Sequence, residues 1–334
     1  MHKRFLAPAL LLSSAACLSQ PPVAAPSAAM ILPGAPSCPA SPDVALAAPE
    51  EVQADGLVAQ FIRPAAPGRH PALIVLGGSE GGSETARALA LPFARQGYAV
   101  LALSYFRAPG LPQNLDQVPL EYFARGLQWL AARPEVDAER IGIFGISKGG
   151  EAALLVASRN PAIRAVVAGV PSNVAWQGMI PPAWDDRSSW SEGGRALPYL
   201  HYDFSHGFTS IGAFYEGALP SLAEHPDAAI PVERIHGPVL LISGRADKMW
   251  PSSIMSDAVV ARLRARNFAW PVIHLAYPDA GHAVAVPPGV GHSSRGPDSY
   301  LGGTEAGNAG GRAGAWTATV CFLRDALARR RPSR

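Results

Sequence analysis

The sequence predicts an α/β protein, a mostly parallel central sheet with helices on both faces and an inserted cap. Two observations carry this prediction. Short apolar runs rich in β-branched residues alternate with longer amphipathic segments, which is the pattern of consecutive βαβ units. The composition also suits one large core, since 48% of the 334 residues are hydrophobic and 16% are charged.

The first part of the predicted sheet precedes residue 146. Predicted strands cover residues 56–63, 72–76, 98–105 and 140–145, and predicted helices cover 84–96 and 120–132. A glycine-rich loop at 77–82 follows the second strand. Because active sites of parallel sheets gather at the carboxyl ends of strands, this loop is a candidate part of a site.

The most informative motif is Gly145-Ile146-Ser147-Lys148-Gly149, which has the G-x-S-x-G pattern of a nucleophile elbow. It follows a predicted strand and opens a predicted helix at 148–158, which is the context that the motif requires. Flanking glycines let neighbouring backbone approach a hydroxyl on a strained turn. Ser147 is therefore the candidate nucleophile, and the backbone N–H of Lys148 is a candidate oxyanion donor.

The loop at 77–82 is expected to supply a second oxyanion donor. It lies two strands before the elbow, where this donor belongs in enzymes with such an elbow. The N–H of Ser79 is the first choice, with Gly78 and Glu80 close behind. A phosphate-binding loop is the alternative, but no G-K-[ST] sequence follows the glycines.

The alternation of strands and helices stops after a strand at 163–170. Residues 171–230 hold a large share of the aromatic side chains, Trp176 among them, together with several prolines. We expect this insertion to cap the active site and to supply an apolar substrate wall. A satellite core packed on itself is the alternative, and both descriptions can hold together.

Regular alternation resumes near residue 238. Strands are predicted over 238–243 and 272–277, and helices over 253–266 and 313–330. Between them, residues 283–312 are dense in Gly and Pro and predict a long, irregular, surface-exposed loop.

Asp247 and His282 each follow one of these late strands. With Ser147 they give the chain order nucleophile, acid, histidine, which is that of the α/β-hydrolase fold. We expect His282 to accept the serine proton and Asp247 to orient the imidazole. The alternatives are His292 as the base and Asp279 as the acid.

Other chemistries have little support in the sequence. No His, Cys or Asp cluster has the spacing of metal ligands, so neither a metal nor another cofactor is expected. The net charge of +2 does not suggest a nucleic-acid partner.

The N-terminus predicts export. A basic start, an apolar run and small residues make up a signal peptide over residues 1–29, and a Pro/Ala-rich arm follows at 30–56. Cys17 lies in a sequence similar to a bacterial lipobox, so lipid anchoring to a membrane is an alternative to ordinary cleavage into the periplasm or medium. In an oxidising compartment, Cys38 and Cys321 either form a disulfide or stay as two thiols.

Several segments carry a family resemblance over most of residues 57–334. They are 99–105, LEYFARGLQWLAARPEV at 120–136, GISKGGEAALLVAS at 145–158, IPVERI at 230–235, DKMW at 247–250, YPDAGH at 277–282 and GGTEAGNAGGRAGAW at 302–316. In these segments the chain resembles the C-terminal hydrolase domain shared by acyl-CoA thioesterases and bile acid-CoA:amino acid N-acyltransferases. Dienelactone-hydrolase-like enzymes are similar in pattern.

The resemblance implies an acyl thioester hydrolase with Ser147, Asp247 and His282 as nucleophile, acid and base. A serine nucleophile favours hydrolysis over transfer to an amino acid. Two features depart from the family: only a short arm precedes Leu57, where the family has a β-sandwich, and the chain begins with an export signal. Because CoA esters are cytoplasmic, the natural small-molecule substrate of an exported protein is expected to be a different acyl ester or thioester.

Three side chains are expected to contact the substrate, namely Glu80, Trp176 and Trp250. Two further interpretations stay open at this point. One is a carboxylesterase or dienelactone-hydrolase-like enzyme, and the other is an exported protein that binds an apolar ligand without turnover.

Overall fold

The computed structural model describes residues 33–179, 186–203, 209–291 and 300–328. The predicted signal peptide with Cys17, and the alternative base His292, lie outside these residues. The strands are β1 (Glu50–Val52), β2 (Val58–Ile62), β3 (His70–Leu76), β4 (Ala99–Ser104), β5 (Val118–Pro119), β6 (Val136–Ile146), β7 (Ile163–Gly169), β8 (Trp190–Glu192), β9 (Arg195–Ala196), β10 (Val239–Gly244) and β11 (Val272–Tyr277). The helices are α1 (Glu84–Arg95), α2 (Leu120–Ala131), α3 (Lys148–Ala157), α4 (Ile211–Ala218), α5 (Ser252–Ala265) and α6 (Glu305–Ala328).

Eight strands form the main sheet, in the order β1-β2-β4-β3-β6-β7-β10-β11. The six strands from β4 to β11 in this order are parallel, and β2 is antiparallel to β4. Ile74 of β3 pairs with Leu101 of β4 on one side and with Ile143 of β6 on the other. The elbow at the end of β6 therefore lies near the middle of the sheet.

Each face of the sheet has its own core, because side chains alternate along a strand. In β3, Ala72 and Ile74 belong to one cluster, which includes residues of α2, α3 and α5. Leu73 and Val75 belong to the other, which includes residues of α1 and α6. Both faces are thus covered, as expected for a parallel sheet.

The cap insertion, residues 171–230, leaves the sheet after β7 and returns before β10. Its strands β8 and β9 form a three-stranded sheet with β5, which lies outside the insertion in the chain. Trp176, Tyr202 and Tyr215 form a separate core with residues such as Trp250 and Met255. The expected satellite core is therefore present.

The expectation of an irregular, exposed loop over 283–312 is wrong in two respects. Residues 282–285 form a buried 3-10 turn, and α6 begins at Glu305. The glycines of α6 explain the error, because they allow close packing. A Cβ on Gly307 would overlap the backbone of Asp279, and one on Gly311 would lie 2.9 Å from Val284.

Cys38 of the arm and Cys321 of α6 form a disulfide with a Cα–Cα distance of 5.5 Å. This bond joins two positions 283 residues apart in the chain. Among the described helices, none is long and apolar enough to cross a membrane.

Candidate active site

Ser147 lies at a strained turn between β6 and α3. Its backbone has φ 55° and ψ −124°, a conformation that residues other than glycine rarely adopt. Gly149 makes the turn possible, because a Cβ at this position would overlap the carbonyl oxygen of Gly77. The turn leaves the Ser147 hydroxyl half-buried at the edge of a cavity.

The structure brings Ser147, His282 and Asp247 together from three parts of the chain. The Ser147 Oγ lies 2.9 Å from Nε2 of His282, and Nδ1 of His282 lies 2.8 Å from Oδ2 of Asp247. An ionised carboxylate only accepts hydrogen bonds, so Nδ1 carries the proton and Nε2 accepts from the serine hydroxyl. This is the arrangement of a nucleophile with its base and an orienting acid.

Further hydrogen bonds hold the Asp247 carboxylate. Oδ1 accepts from the backbone N–H groups of Met249 and Trp250, at 2.9 and 3.3 Å, and Oδ2 accepts from the Ser252 hydroxyl at 2.6 Å. The Asp247 side chain is 2% exposed. It is therefore fixed in position and shielded from water.

Residues 301–304 clamp the loop of Asp247 to the loop of His282. The N–H of Gly303 donates to the Ala246 carbonyl at 3.0 Å, and the N–H of His282 donates to the Leu301 carbonyl at 2.8 Å. Asn308 of α6 completes the clamp, since Oδ1 accepts from Gly281 N at 2.8 Å and Nδ2 donates to the Gly302 carbonyl at 3.1 Å. The GGTEAGN segment thus positions two members of the triad.

The backbone N–H groups predicted to bind the oxyanion differ in whether they already donate to an acceptor within the protein. Lys148 is the first residue of α3, where the backbone N–H has no acceptor within the helix. Ser79 lines the space beside Ser147. The N–H of Gly78 donates to Oε1 of Glu80 at 2.8 Å, so this donor already has a partner within its own loop. Tyr105 fixes the loop by donating to the Gly77 carbonyl at 2.8 Å.

A buried ion pair lies directly behind the elbow. Nζ of Lys148 is 2.9 Å from Oε2 of Glu151, and both side chains are at most 2% exposed. Glu151 also accepts from Nε1 of Trp190 at 2.6 Å and from the N–H of Trp176 at 3.1 Å. Burial lowers the pKa of Lys148 and raises the pKa of Glu151, while the attraction between the two charges opposes both changes. The pair connects the first turn of α3 to the cap.

A second Ser-His-Asp row occurs in the structure, between Ser243, His274 and Asp257. The Ser243 hydroxyl is 2.7 Å from Nε2 of His274, whose Nδ1 is 2.9 Å from Asp257. Ser243 is fully buried within β10, so no substrate can reach it. Burial lowers the pKa of His274. This row is a structural hydrogen-bond chain.

Two cavities meet at Ser147. The larger, of about 640 Å³, is lined by His282, Glu80 and the loop after the 3-10 turn. The smaller, of about 370 Å³, lies under the cap and is lined by Trp250. Trp176 lines neither cavity in the described part of the chain; its side chain is fully buried in the cap core, so its predicted substrate contact is wrong.

Sequence reasoning missed several contributors to the site. Ser252, Glu151 and Asn308 carry no motif of their own. The spacing of Lys148 and Glu151 is that of a helical ion pair, but it does not reveal burial. Among the described residues, no group of three His, Cys, Asp or Glu side chains could hold a metal ion.

Comparison with known proteins identifies the family. The family described as BAAT / Acyl-CoA thioester hydrolase C terminal matches residues 118–329, and the dienelactone hydrolase family matches residues 57–177. Human acyl-coenzyme A thioesterase 1 is 31% identical over 247 residues, which cover 71% of this chain and 54% of the relative. Mouse acyl-coenzyme A thioesterase 5 is 31% identical over 282 residues, which cover 82% and 65%. The chain thus spans between half and two thirds of the length of these relatives.

Solved structures show the same fold. A putative dienelactone hydrolase from Klebsiella pneumoniae subsp. pneumoniae MGH 78578 aligns with a TM-score of 0.54 and 19% identity, covering 84% of this chain and 98% of its own. The predicted α/β-hydrolase fold is therefore confirmed, and so is the resemblance described above. The chain belongs to the BAAT / acyl-CoA thioester hydrolase C-terminal family.

Proposed function

We propose that the protein is an exported serine hydrolase that cleaves a small-molecule acyl thioester or ester through an acyl-enzyme. The observation that supports this most strongly is the Ser147–His282–Asp247 row, with contacts of 2.9 and 2.8 Å at the meeting point of two cavities. Family membership supports the same reaction class. The Cys38–Cys321 disulfide supports export, because disulfides persist in oxidising compartments.

In the acylation step, the bond from the acyl carbon to the leaving group is replaced by a bond to Ser147, and the serine proton is transferred to the leaving group. The Ser147 Oγ attacks the acyl carbonyl carbon while Nε2 of His282 takes the hydroxyl proton. The N–H groups of Lys148 and Ser79 stabilise the oxyanion, and Asp247 stabilises the imidazolium. When the tetrahedral intermediate collapses, the bond from carbon to oxygen or sulfur breaks and His282 returns the proton to the leaving group.

Deacylation repeats these steps with water. His282 removes a proton from a water molecule, which attacks the acyl-enzyme, and Ser147 leaves with the proton that His282 holds. A thiolate, with a thiol pKa of about 8.5, leaves with less help than an alkoxide. The same residues therefore serve both thioesters and oxygen esters.

The first experiment is labelling of the purified mature protein with a fluorophosphonate probe, followed by turnover of p-nitrophenyl esters and acyl-CoA. We expect the wild type to label and to hydrolyse at least one substrate class. Ser147→Ala and His282→Ala should both lose labelling, with kcat reduced by about 10⁶-fold for the serine variant. Ser243→Ala is the matched control and should label like the wild type.

Failure of the folded wild type to label would contradict the proposal. Labelling that persists in Ser147→Ala would assign the nucleophile elsewhere and contradict it equally. Circular dichroism of each variant separates loss of the nucleophile from loss of the fold.

A further inference from the structure

The two cavities at Ser147 are built from different parts of the protein. Ser79, Ser147 and Met249 line both, so the cavities meet at the nucleophile. His282 lines only the larger one, together with residues of its own loop such as Val286 and Val290. Lys148 lines only the smaller one, whose remaining wall comes from the cap and from Trp250.

The smaller cavity has an apolar wall. It is lined by Met179, Tyr202, Ile211, Phe214, Tyr215 and Trp250. The polar atoms of its aromatic rings have partners in the protein, since Nε1 of Trp250 donates to the Val170 carbonyl at 3.0 Å and the Tyr202 hydroxyl donates to the Gln177 carbonyl at 2.9 Å. Burial raises the pKa of Tyr215 to about 12, so this ring stays neutral.

The geometry of the reaction indicates which cavity holds the leaving group and which holds the acyl chain. In the tetrahedral intermediate, the former carbonyl carbon carries the Ser147 oxygen, the oxyanion, the leaving group and the acyl chain. His282 must reach the leaving atom to return the proton, so the leaving group lies on the side that His282 lines. The oxyanion faces the N–H groups of Lys148 and Ser79. The acyl chain then occupies the remaining side, which is the cavity under the cap.

We propose that the cap cavity is the acyl pocket and that it selects medium-chain or aromatic acyl groups. This assignment rests on the proposed function, since it requires an acyl-enzyme at Ser147. At about 30 Å³ for each non-hydrogen atom, the volume that a water molecule occupies in the liquid, the cavity of about 370 Å³ holds roughly a dozen such atoms. Each methylene group that enters it contributes about fourfold to kcat/KM.

The test is a series of p-nitrophenyl esters from acetate to palmitate, measured on the mature protein. We expect kcat/KM to rise with chain length to a maximum between 8 and 12 carbons, as the cavity volume implies, and to fall for palmitate. Ile211→Trp replaces a branched alkyl side chain at the start of α4 by a larger indole ring and should lower kcat/KM for decanoate at least tenfold more than for acetate. Phe214→Ala removes a ring from the same wall and should move the maximum to longer chains.

Two control variants test whether the effects are specific to the cavity under the cap. Val290→Trp fills the larger cavity, so it should leave the chain length of the maximum in place and should slow esters with bulkier leaving groups. Ile254→Trp changes an exposed residue of α5, 53% accessible, and should leave the whole profile unchanged.

The outcomes separate this inference from the function on which it rests. A wild type that neither labels with fluorophosphonate nor hydrolyses any ester contradicts the proposed function. If the wild type hydrolyses esters, but neither Ile211→Trp nor Phe214→Ala moves the maximum, the acyl pocket is wrongly assigned. A maximum that moves with Val290→Trp would place the acyl chain in the larger cavity. Circular dichroism like that of the wild type shows that each variant keeps the fold.

Discussion

The Asp247 carboxylate accepts four hydrogen bonds, including the one from His282. Asp247→Asn keeps the size of the side chain but places an amide where the carboxylate accepts the hydrogen bond from Nδ1–H of His282. The imidazole then favours the wrong tautomer, so we expect kcat to fall by about 10⁴-fold with little change in stability. Ester turnover and thermal unfolding measure the two effects.

Asp257→Asn is the matched control for this prediction, because Asp257 holds His274 in the second Ser-His-Asp row with similar geometry. We expect it to keep wild-type turnover. Equal losses in both variants would show that hydrogen-bond geometry alone does not identify the catalytic acid.

The Lys148–Glu151 pair supports the elbow without contacting the reacting atoms. Lys148→Met leaves the Glu151 carboxylate buried with only neutral donors from Trp190 and Trp176, which should cost about 3–5 kcal/mol of unfolding free energy. The double variant Lys148→Met/Glu151→Gln removes both charges and keeps an acceptor for the tryptophans. We therefore expect urea denaturation to show most of the stability restored.

A Lys148→Met protein as stable as the wild type would contradict the view that the pair is tightly coupled. Turnover provides a separate readout, since the backbone N–H at position 148 is kept. The folded fraction of the single variant should therefore retain kcat within a few-fold of the wild type.

The clamp at 301–304, together with the first turn of α6, holds the loops of Asp247 and His282. Asn308→Asp keeps the acceptor for Gly281 but places a carboxylate oxygen against the Gly302 carbonyl, so that carbonyl loses its donor and a charge is buried. We expect a loss of about 3 kcal/mol or more in stability and a fall in kcat larger than the change in KM. Urea denaturation and steady-state kinetics give these values.

Thr317→Ala on the exposed side of the same helix is the control for this clamp. It removes a hydroxyl bonded only within α6 and should change neither parameter appreciably. Unaltered kcat in Asn308→Asp would mean that the two loops are positioned without the clamp.

Helices and strands were predictable from the sequence where the local residue pattern favours the same structure that packing in the fold requires. The strands next to the elbow and the start of α3 at Lys148 follow from apolar runs and a glycine-flanked serine. The N-terminal half of α6 was not predictable, because Gly307, Gly310 and Gly311 lower helix propensity. Gly307 and Gly311 also lie in close contact with the loop of His282. Such contacts join distant parts of the chain, so no local window contains them.

The same limit applies to the site. Motifs and chain order indicated Ser147, Asp247 and His282, which the structure brings within hydrogen-bonding distance. Nothing local distinguishes Trp176, buried in the cap core, from Trp250, at the cavity wall. The hydrogen bond from Gly78 N–H to the Glu80 carboxylate was not predictable either, because only the folded loop fixes the direction of the Glu80 side chain.

At the scale of the whole molecule, the Cys38–Cys321 disulfide ties the N-terminal arm to α6. Replacing both cysteines by serine frees the arm and increases the entropy of the unfolded chain over a long loop. We expect a loss of about 2–4 kcal/mol, which for a domain of this size lowers Tm by roughly 3–7 °C. Calorimetry of the oxidised wild type and of the double variant measures the difference.

Activity at 25 °C should survive this change. Cys321 lies 13 residues beyond Asn308 along α6, a distance of about 20 Å at the rise of an α-helix. The clamp on the triad loops is therefore remote from the bond. Wild type produced in a reducing cytoplasm should unfold at the temperature of the double variant, and oxidised protein from the periplasm should unfold higher. If both preparations and the double variant share one Tm, the disulfide makes no contribution to stability, and the support that it lends to export is lost.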